Sequence, residues 1–406
     1  MDQGPMHWPA VCRRVILVEH ILVICSGTQG DVTPYLNVAE ALVRGGRSVT
    51  LLANRRYQDE CTRAGIEADF LDTEAESDAM LAALTQLDAV GTLRNFLQEH
   101  VIPRTLRAAT IARARPGSES LHLVSIAFFG FASLLAEHLN ARLSTLFEAP
   151  DHLRRWSAAL TFVANFMRPE LTRLCKELEI PPVTKPADLV RHPQRFLALW
   201  PDWFDNTSSP ETVVRTGFPR RLTHPAQVTS TERRVVITHT SGASAHASRF
   251  FRIAIDACAH VGAPSLVVTQ NKALLPDPLP PGCVHHGWFA SLRVPLAQAS
   301  AIIHHGGIGT TGEALAAGVP QLILPDGLDR DHNGCRAEAI GVGRSLPLTV
   351  CTESAVNEAL THLLHSDKVH GRCRHFAALM RSHDGPACAA ALIANSALRL
   401  EGYFNL

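Results

Sequence analysis

The sequence predicts an α/β protein of two Rossmann-like, doubly wound parallel-sheet domains that face each other across a cleft. Three observations carry that expectation. The chain has 406 residues and a mass of 44.1 kDa, and at about 100–200 residues per domain this is two cores rather than one. Apolar strand, glycine-rich turn and amphipathic helix recur in that order in both halves, which is the signature of βαβ units. A proline-rich stretch over 181–224 separates the two series.

The first series opens at Ile21 with ILVICS, an apolar strand, followed by the turn GTQGDVTP. YLNVAEALVRGG then places Leu36, Val38, Ala39, Leu42 and Val43 at helical spacing, Gly45–Gly46 stops the helix, and RSVTLLA forms the next strand. LHLVSIAFF (121–129) and ARLSTLFEA (141–149) extend the sheet, with helical patterns such as 78–113. Prolines at 181, 182, 186, 193, 201, 210 and 219 predict a linker without a long helix or a central strand. In the second series RRVVITHTSGA is a strand entering a loop, SRFFRIAIDACAHVG a helix and PSLVVTQ a strand. AIIHHGGIGTTGEALAAGVPQLILPDG is strand, glycine-rich loop, a short helix closed by Gly318 and Pro320, and strand.

Composition narrows the function. Lys+Arg and Asp+Glu both number 38, so no basic field recruits nucleic acid or an anionic membrane as main partner. A chain that is 46% hydrophobic and only 19% charged fills cores rather than staying disordered. None of the ten cysteines stands at C-x-x-C spacing, and His285–His286 has no third ligand at a suitable distance in sequence. No disulfide framework and no metal are therefore expected. The longest apolar stretch, Leu123 to Leu135, is far short of the roughly 20 residues that span a bilayer. Arg13–Arg14 before VILVEHILVIC outlines a signal peptide, but Glu19 and His20 interrupt its apolar core. The expectation is a soluble, cytoplasmic protein.

The segment His304-His305-Gly306-Gly307-Ile308-Gly309-Thr310-Thr311-Gly312-Glu313 follows an apolar strand and opens a helix. Glycines admit a ligand close to the backbone, and the unpaired N–H groups at a helix start favour an anion. Thr310 and Thr311 add hydroxyl donors and His305 a ring donor, a set suited to a phosphate or diphosphate. Glu313, an acceptor beside that anion, suits a pair of sugar hydroxyls. The same segment contains Gly307-x-Gly309-x-x-Gly312 with Asp326 and Asp329 downstream, which gives an NAD- or FAD-dependent oxidoreductase as an alternative. Against that alternative, the first half has its own nucleotide-type turn, and a dinucleotide loop does not need two histidines.

HHGGIGTTGEALAAGVPQLILP followed by DGLDRDHN resembles the nucleotide-sugar signature of GT-B glycosyltransferases of the UDP-glycosyltransferase type. The nearest likeness is to their bacterial natural-product and rhamnosyltransferase-like branch. GTQGDVTP resembles the family's G-[ST]-x-G-D-[VT]-x-P turn, and Thr216-Gly217-Phe218-Pro219 its interdomain T-G-F-P; residues 75 to 200 agree only in pattern. The resemblance implies an acceptor domain over 18–205, a linker over 206–224, a nucleotide-sugar domain over 225–385, and a terminal helix over 386–406 crossing back to the first domain. It also implies that residues 1–17 are an upstream extension.

In the roles the resemblance implies, Ser241, His305, Gly307, Gly309 and Thr310 hold the donor diphosphate, and Glu313 binds the ribose. Asp329 accepts from the sugar hydroxyls. Arg330 stands where glutamine is usual, a departure that turns the donor away from glucose. Trp288 or Phe289 stacks on the base. Asp31 is the catalytic base that takes the acceptor's hydroxyl proton. The reaction implied is inverting transfer of a hexose or deoxyhexose from a UDP- or dTDP-sugar to a hydroxyl of a small, largely apolar natural product or lipid. The nucleotide sugar is a co-substrate; no cofactor or metal is implied, and oligomeric state is open.

Plainer readings stand beside these. Asp31 is also a good helix-capping residue, Trp288 and Phe289 are also core residues, and Asp326 and Asp331 suit turns. A nucleotide-sugar-binding protein without catalysis would keep the whole second half.

Overall fold

The computed structural model describes residues 19–84, 90–115, 120–127, 130–192, 195–207, 212–220, 233–239, 246–289, 291–327 and 329–395. The upstream segment 1–17 therefore lies outside the described residues. So does Ser241.

The first half is built on β1 (His20–Ile24), α1 (Gln29–Arg44), β2 (Ser48–Ala53), β3 (Glu67–Phe70), α2 (Ile102–Ala114), β4 (Leu121–Ile126) and β5 (Arg142–Phe147). Two more strands, β6 (Arg195–Ala198) and β7 (Val213–Arg215), complete a seven-stranded parallel sheet of order β3-β2-β1-β4-β5-β6-β7. These two correct the linker expectation, since β6 lies inside the sheet and β7 falls within 206–224. The prolines flank both strands, at 193 and 201 and at 210 and 219, and leave each one a proline-free window. A ladder needs its N–H groups only within the strand, so prolines outside it punctuate rather than prevent pairing.

The second half has β8 (Arg234–Thr238), α3 (Ala247–His260), β9 (Ser265–Val268), β10 (Cys283–His286), β11 (Ala299–His304), α4 (Ile308–Ala317), β12 (Gln321–Ile323), α5 (Arg330–Ala339) and β13 (Gly343–Ser345). Its six parallel strands are ordered β10-β9-β8-β11-β12-β13. In both sheets the order reverses beside the first strand, between β1 and β4 and between β8 and β11. Ligands in doubly wound sheets bind beyond the carboxyl ends at that point.

The chain then returns. Helix α6 (Gly385–Ala394) places Ala389, Ala390, Leu392 and Ile393 in one buried cluster with Val23, Val32, Tyr35 and Ala39 of the first half. Asp384 caps it, accepting from Ala387 N at 3.0 Å. Contacts between the halves centre on α5. His332 Nε2 lies 2.9 Å from Asp205 Oδ2, and Arg336 Nε donates to Phe204 O at 2.6 Å. Among the described residues no helix is long and apolar enough to cross a membrane.

A buried polar knot supports the turn after β1. Asp72 accepts from Asn54 Nδ2 (2.5 Å), Arg55 N (2.9 Å), Ser77 Oγ (2.8 Å) and Arg104 Nη2 (2.7 Å), and Asn54 Oδ1 in turn accepts from Gly27 N at 3.0 Å. Both Asp72 and Arg104 are buried. Removing one member of such a pair strands a buried charge, so Asp72→Ala should lower stability by roughly 3–5 kcal/mol. Urea unfolding measures this, and a loss no larger than that of a typical surface substitution would refute it.

Candidate active site

The turn between β1 and α1 presents Asp31 one turn into the helix. Thr28 N donates to Asp31 Oδ2 at 2.7 Å, and Thr28 Oγ donates to the same oxygen at 2.9 Å. The capping interaction foreseen as the plain reading is thus present. It engages only Oδ2, and Oδ1 takes no hydrogen bond among the described residues. Burial pushes the Asp31 carboxyl above the usual aspartate range. The two Thr28 hydrogen bonds and the nearby His152 oppose that shift, whereas Asp329 of the other half adds to it.

That last coupling locates Asp329 on the same cleft as Asp31. A third carboxyl joins them. Glu148, immediately after β5, is 4% exposed, and among the described residues its Oε1 has no hydrogen-bond partner. Burial, then the charges of Asp31 and Asp329, push Glu148 well above the usual range. Sequence reading passed over Glu148 because nothing in FEAP marks it; its meaning depends on β5 ending level with β1.

In the second half β11 ends on His304, and His305 follows it. His304 is fully buried, with Nε2 3.0 Å from Gln321 Oε1 and Nδ1 accepting from Gly306 N at 3.1 Å. Burial lowers its pKa to about 4, with Gln321 opposing, and its role is structural. His305 is 7% exposed, and among the described residues its Nδ1 has no partner. Burial, then His239, Arg330 and His304, hold its pKa well below the ordinary imidazole value. A neutral imidazole carries one N–H that can donate.

Gly306 turns the chain with φ +93°, and a Cβ there would stand 2.9 Å from Arg330 O. At Gly307, the N-cap of α4, a Cβ would stand 2.7 Å from His305 Nε2. Gly309 is exposed and Thr310 half-buried at the same helix start. Thr311, expected as a second hydroxyl donor, instead donates to Gly307 O at 3.0 Å. A threonine four residues into the helix reaches its own i−4 carbonyl. Gly312 lies against Phe218, with a would-be Cβ 3.1 Å from the ring, so packing accounts for the third glycine of the G-x-G-x-x-G string.

Glu313 has two arginine neighbours. Arg293 Nε donates to Oε2 at 3.3 Å, and Arg220 Nε lies 3.8 Å from Oε1. Asp329 starts α5 and accepts from Asn333 Nδ2 at 2.7 Å; the same nitrogen is 3.0 Å from Gly306 O. Arg330 donates to Asp326 Oδ1. The Asp326 side chain is only 2% exposed, so it is a buried ion-pair partner rather than a turn residue. Of the two aromatic candidates, Trp288 is 43% exposed. Phe289 stacks on His286 (centroids 4.0 Å apart, planes at 17°) and packs against the cluster of Val236, Val268 and Ile302.

One member of the site was missed in the sequence. His239 follows β8, and its ring lies 5.0 Å from that of His305, with Nε2 3.6 Å from Asp326 Oδ2. The signal was present in VVITHTSGA, a histidine directly at the end of an apolar strand, but only the pairing of β8 with β11 gives it a neighbour. Among the described residues no group of three or more His, Cys, Asp or Glu is arranged to hold a metal ion.

Known proteins share this fold. Residues 254–394 match the family model described as erythromycin biosynthesis protein CIII-like, C-terminal domain. A sterol 3-beta-glucosyltransferase of Aspergillus clavatus is 37% identical over 117 residues, covering 28% of this chain and 8% of that protein. The vancomycin aglycone glucosyltransferase of Amycolatopsis orientalis is 35% identical over 107 residues, 26% of each chain. These curated relatives are thus matched over a small part of their own length. The calicheamicin glycosyltransferase CalG4 superposes with a TM-score of 0.70 at 23% identity, over 93% of this chain and 98% of its own. The glycosyltransferase VinC, solved in complex with dTDP, gives 0.67 at 18% identity over 92% and 98%. The two-sheet GT-B frame is thus shared along nearly the whole chain, and residues 254–394 match an EryCIII-like C-terminal domain.

Proposed function

We propose that the protein transfers a hexose or deoxyhexose, with inversion, from a UDP- or dTDP-sugar to a hydroxyl of a small, largely apolar acceptor. The observation that carries this reading is the start of α4, where Gly306, Gly307 and Gly309 bare the helix N-terminus beside the buried His305. That arrangement suits a diphosphate leaving group, with Asp31 of the first half as the base and Asp329 as the acceptor for the sugar hydroxyls. The acceptor oxygen attacks the anomeric carbon while Asp31 Oδ1 takes its proton, and the bond from that carbon to the diphosphate oxygen breaks. Charge then grows on the departing diphosphate, where the α4 N-terminus, His305 and Thr310 donate to it. Attack from the side opposite the leaving group inverts the centre.

Glu313 takes the ribose hydroxyls, and the arginines beside it hold its carboxylate in place. Trp288 is the better stacking platform, since Phe289 already stacks on His286. The choice of a dTDP or UDP donor is supported by the dTDP bound to VinC. The small hydroxyl-bearing acceptor is supported by the sterol and vancomycin aglycone in the relatives' names. The oxidoreductase alternative loses ground because Gly312 serves packing against Phe218.

A thermal-shift panel of UDP, dTDP, GDP and NAD tests the reading, because a ligand of the native state raises its apparent stability. UDP or dTDP should raise Tm; stabilisation by NAD alone would refute the assignment. Turnover of a bound donor by the wild-type protein separates an enzyme from a non-catalytic binder.

A further inference from the structure

Strands β8 and β11 run side by side in register, with Thr238 opposite His304. The next residue of each strand, His239 and His305, therefore leaves the sheet beside the other at its carboxyl edge. Their rings are 5.0 Å apart and inclined at 40°. The His239 side chain is 2% exposed, yet among the described residues neither Nδ1 nor Nε2 has a hydrogen-bond partner, and His305 Nδ1 has none there either. Buried side-chain nitrogens are nearly always bonded in native proteins, so unpaired nitrogens on two neighbouring imidazoles, each ring carrying an N–H, mark a place where a ligand binds.

The surroundings fix what that acceptor is. Phe250 and Phe251 of α3 stand 4.7 and 6.1 Å from the His239 ring and wall it off on one side. Asp326 Oδ2 lies 3.6 Å from Nε2, and the same carboxyl is bound through its other oxygen by Arg330. The remaining side holds His305 and the start of α4, whose first N–H groups have no partner within the helix. A ligand that satisfies two imidazoles and a helix N-terminus together carries several oxygen acceptors and negative charge.

We infer that His239 is a second imidazole donor to the leaving diphosphate, paired with His305 across β8 and β11 and held in place by the Asp326–Arg330 ion pair. The inference rests on the donor site proposed above and adds a residue to it. It also gives Arg330 a different task from sugar recognition, because its guanidinium is engaged behind His239 rather than free in the cleft. Arg330, Asp326 and His239 form one polar chain that ends on the diphosphate.

Calorimetric titration of the full chain with uridine, UDP, thymidine and dTDP tests this. In His239→Leu the nucleoside diphosphate that the wild type binds should weaken by roughly ten-fold or more, the worth of a hydrogen bond to a charged group, while its nucleoside is unchanged. His239→Asn, which returns an N–H near the position of Nδ1, should recover part of the loss. Equal affinity of wild type and His239→Leu for the diphosphate would overturn the inference. Equal weakening of nucleoside and diphosphate would also overturn it, by showing a merely structural role. A structure of the wild type with the diphosphate bound provides a check that needs no variant: a His239 ring out of hydrogen-bond reach of every phosphate oxygen refutes the assignment. A wild type that binds neither diphosphate rejects the donor site itself, a different result from loss of the His239 role alone.

Discussion

Asp31→Asn should lower the rate of sugar transfer by about 10²- to 10⁴-fold, the usual worth of a general base, with little change in stability or in diphosphate binding. Asparagine keeps an oxygen for Thr28 N and Thr28 Oγ, so the start of α1 survives and only the proton acceptor is lost. Asp31→Ala is the less clean experiment, because it also removes a capping group worth about 0.5–2 kcal/mol. The pH profile gives an independent check. Burial and Asp329 raise the Asp31 pKa, so the ionised base is present only above that raised value. kcat/KM should rise with pH through an acid limb lying above the ordinary aspartate pKa of about 3.9, and Asp31→Asn should abolish that limb. Unchanged turnover in Asp31→Asn would remove Asp31 as base.

The second large effect belongs to the leaving group. His305→Ala should reduce turnover by about 10²- to 10³-fold, as removal of one preorganised donor to developing charge does, and should weaken the nucleoside diphosphate more than the nucleoside. Gly307→Ala should reproduce much of this without touching the imidazole. Its methyl group would stand 2.7 Å from His305 Nε2, nearer than a carbon and a ring nitrogen can approach, so the ring must swing away. Single-turnover kinetics with a bound sugar donor measures both variants. Normal chemistry in His305→Ala would place the diphosphate elsewhere.

What could be read in the sequence was local. The strand, glycine-rich turn and helix around His305 declare themselves because glycine freedom, apolar runs and helical spacing all act over a few residues. Asp31 was legible for the same reason, one turn into a helix after a strand. What was hidden depends on partners distant in the chain. Glu313 meets Arg220 and Arg293, Asp326 meets His239, and Glu148 meets Asp31 only through sheet order. Strands β6 and β7 were obscured by proline density, although each sits in a gap between prolines. Thr311 was misread because its own helix offers it a carbonyl.

The return of α6 has a mechanical consequence. Because the last described helix completes the core around α1 and β1, the second half is inserted into the first and is attached by two chain crossings. These crossings touch: His383 Nε2 lies 2.8 Å from Thr216 O, and Gly385 packs on the carbonyl of Phe218. A body tethered at two adjacent points resists being pulled away and twists most readily about the line that joins them. Opening of the cleft to admit a sugar donor should therefore be a rotation with one dominant axis, pivoting near Gly217 and Gly385.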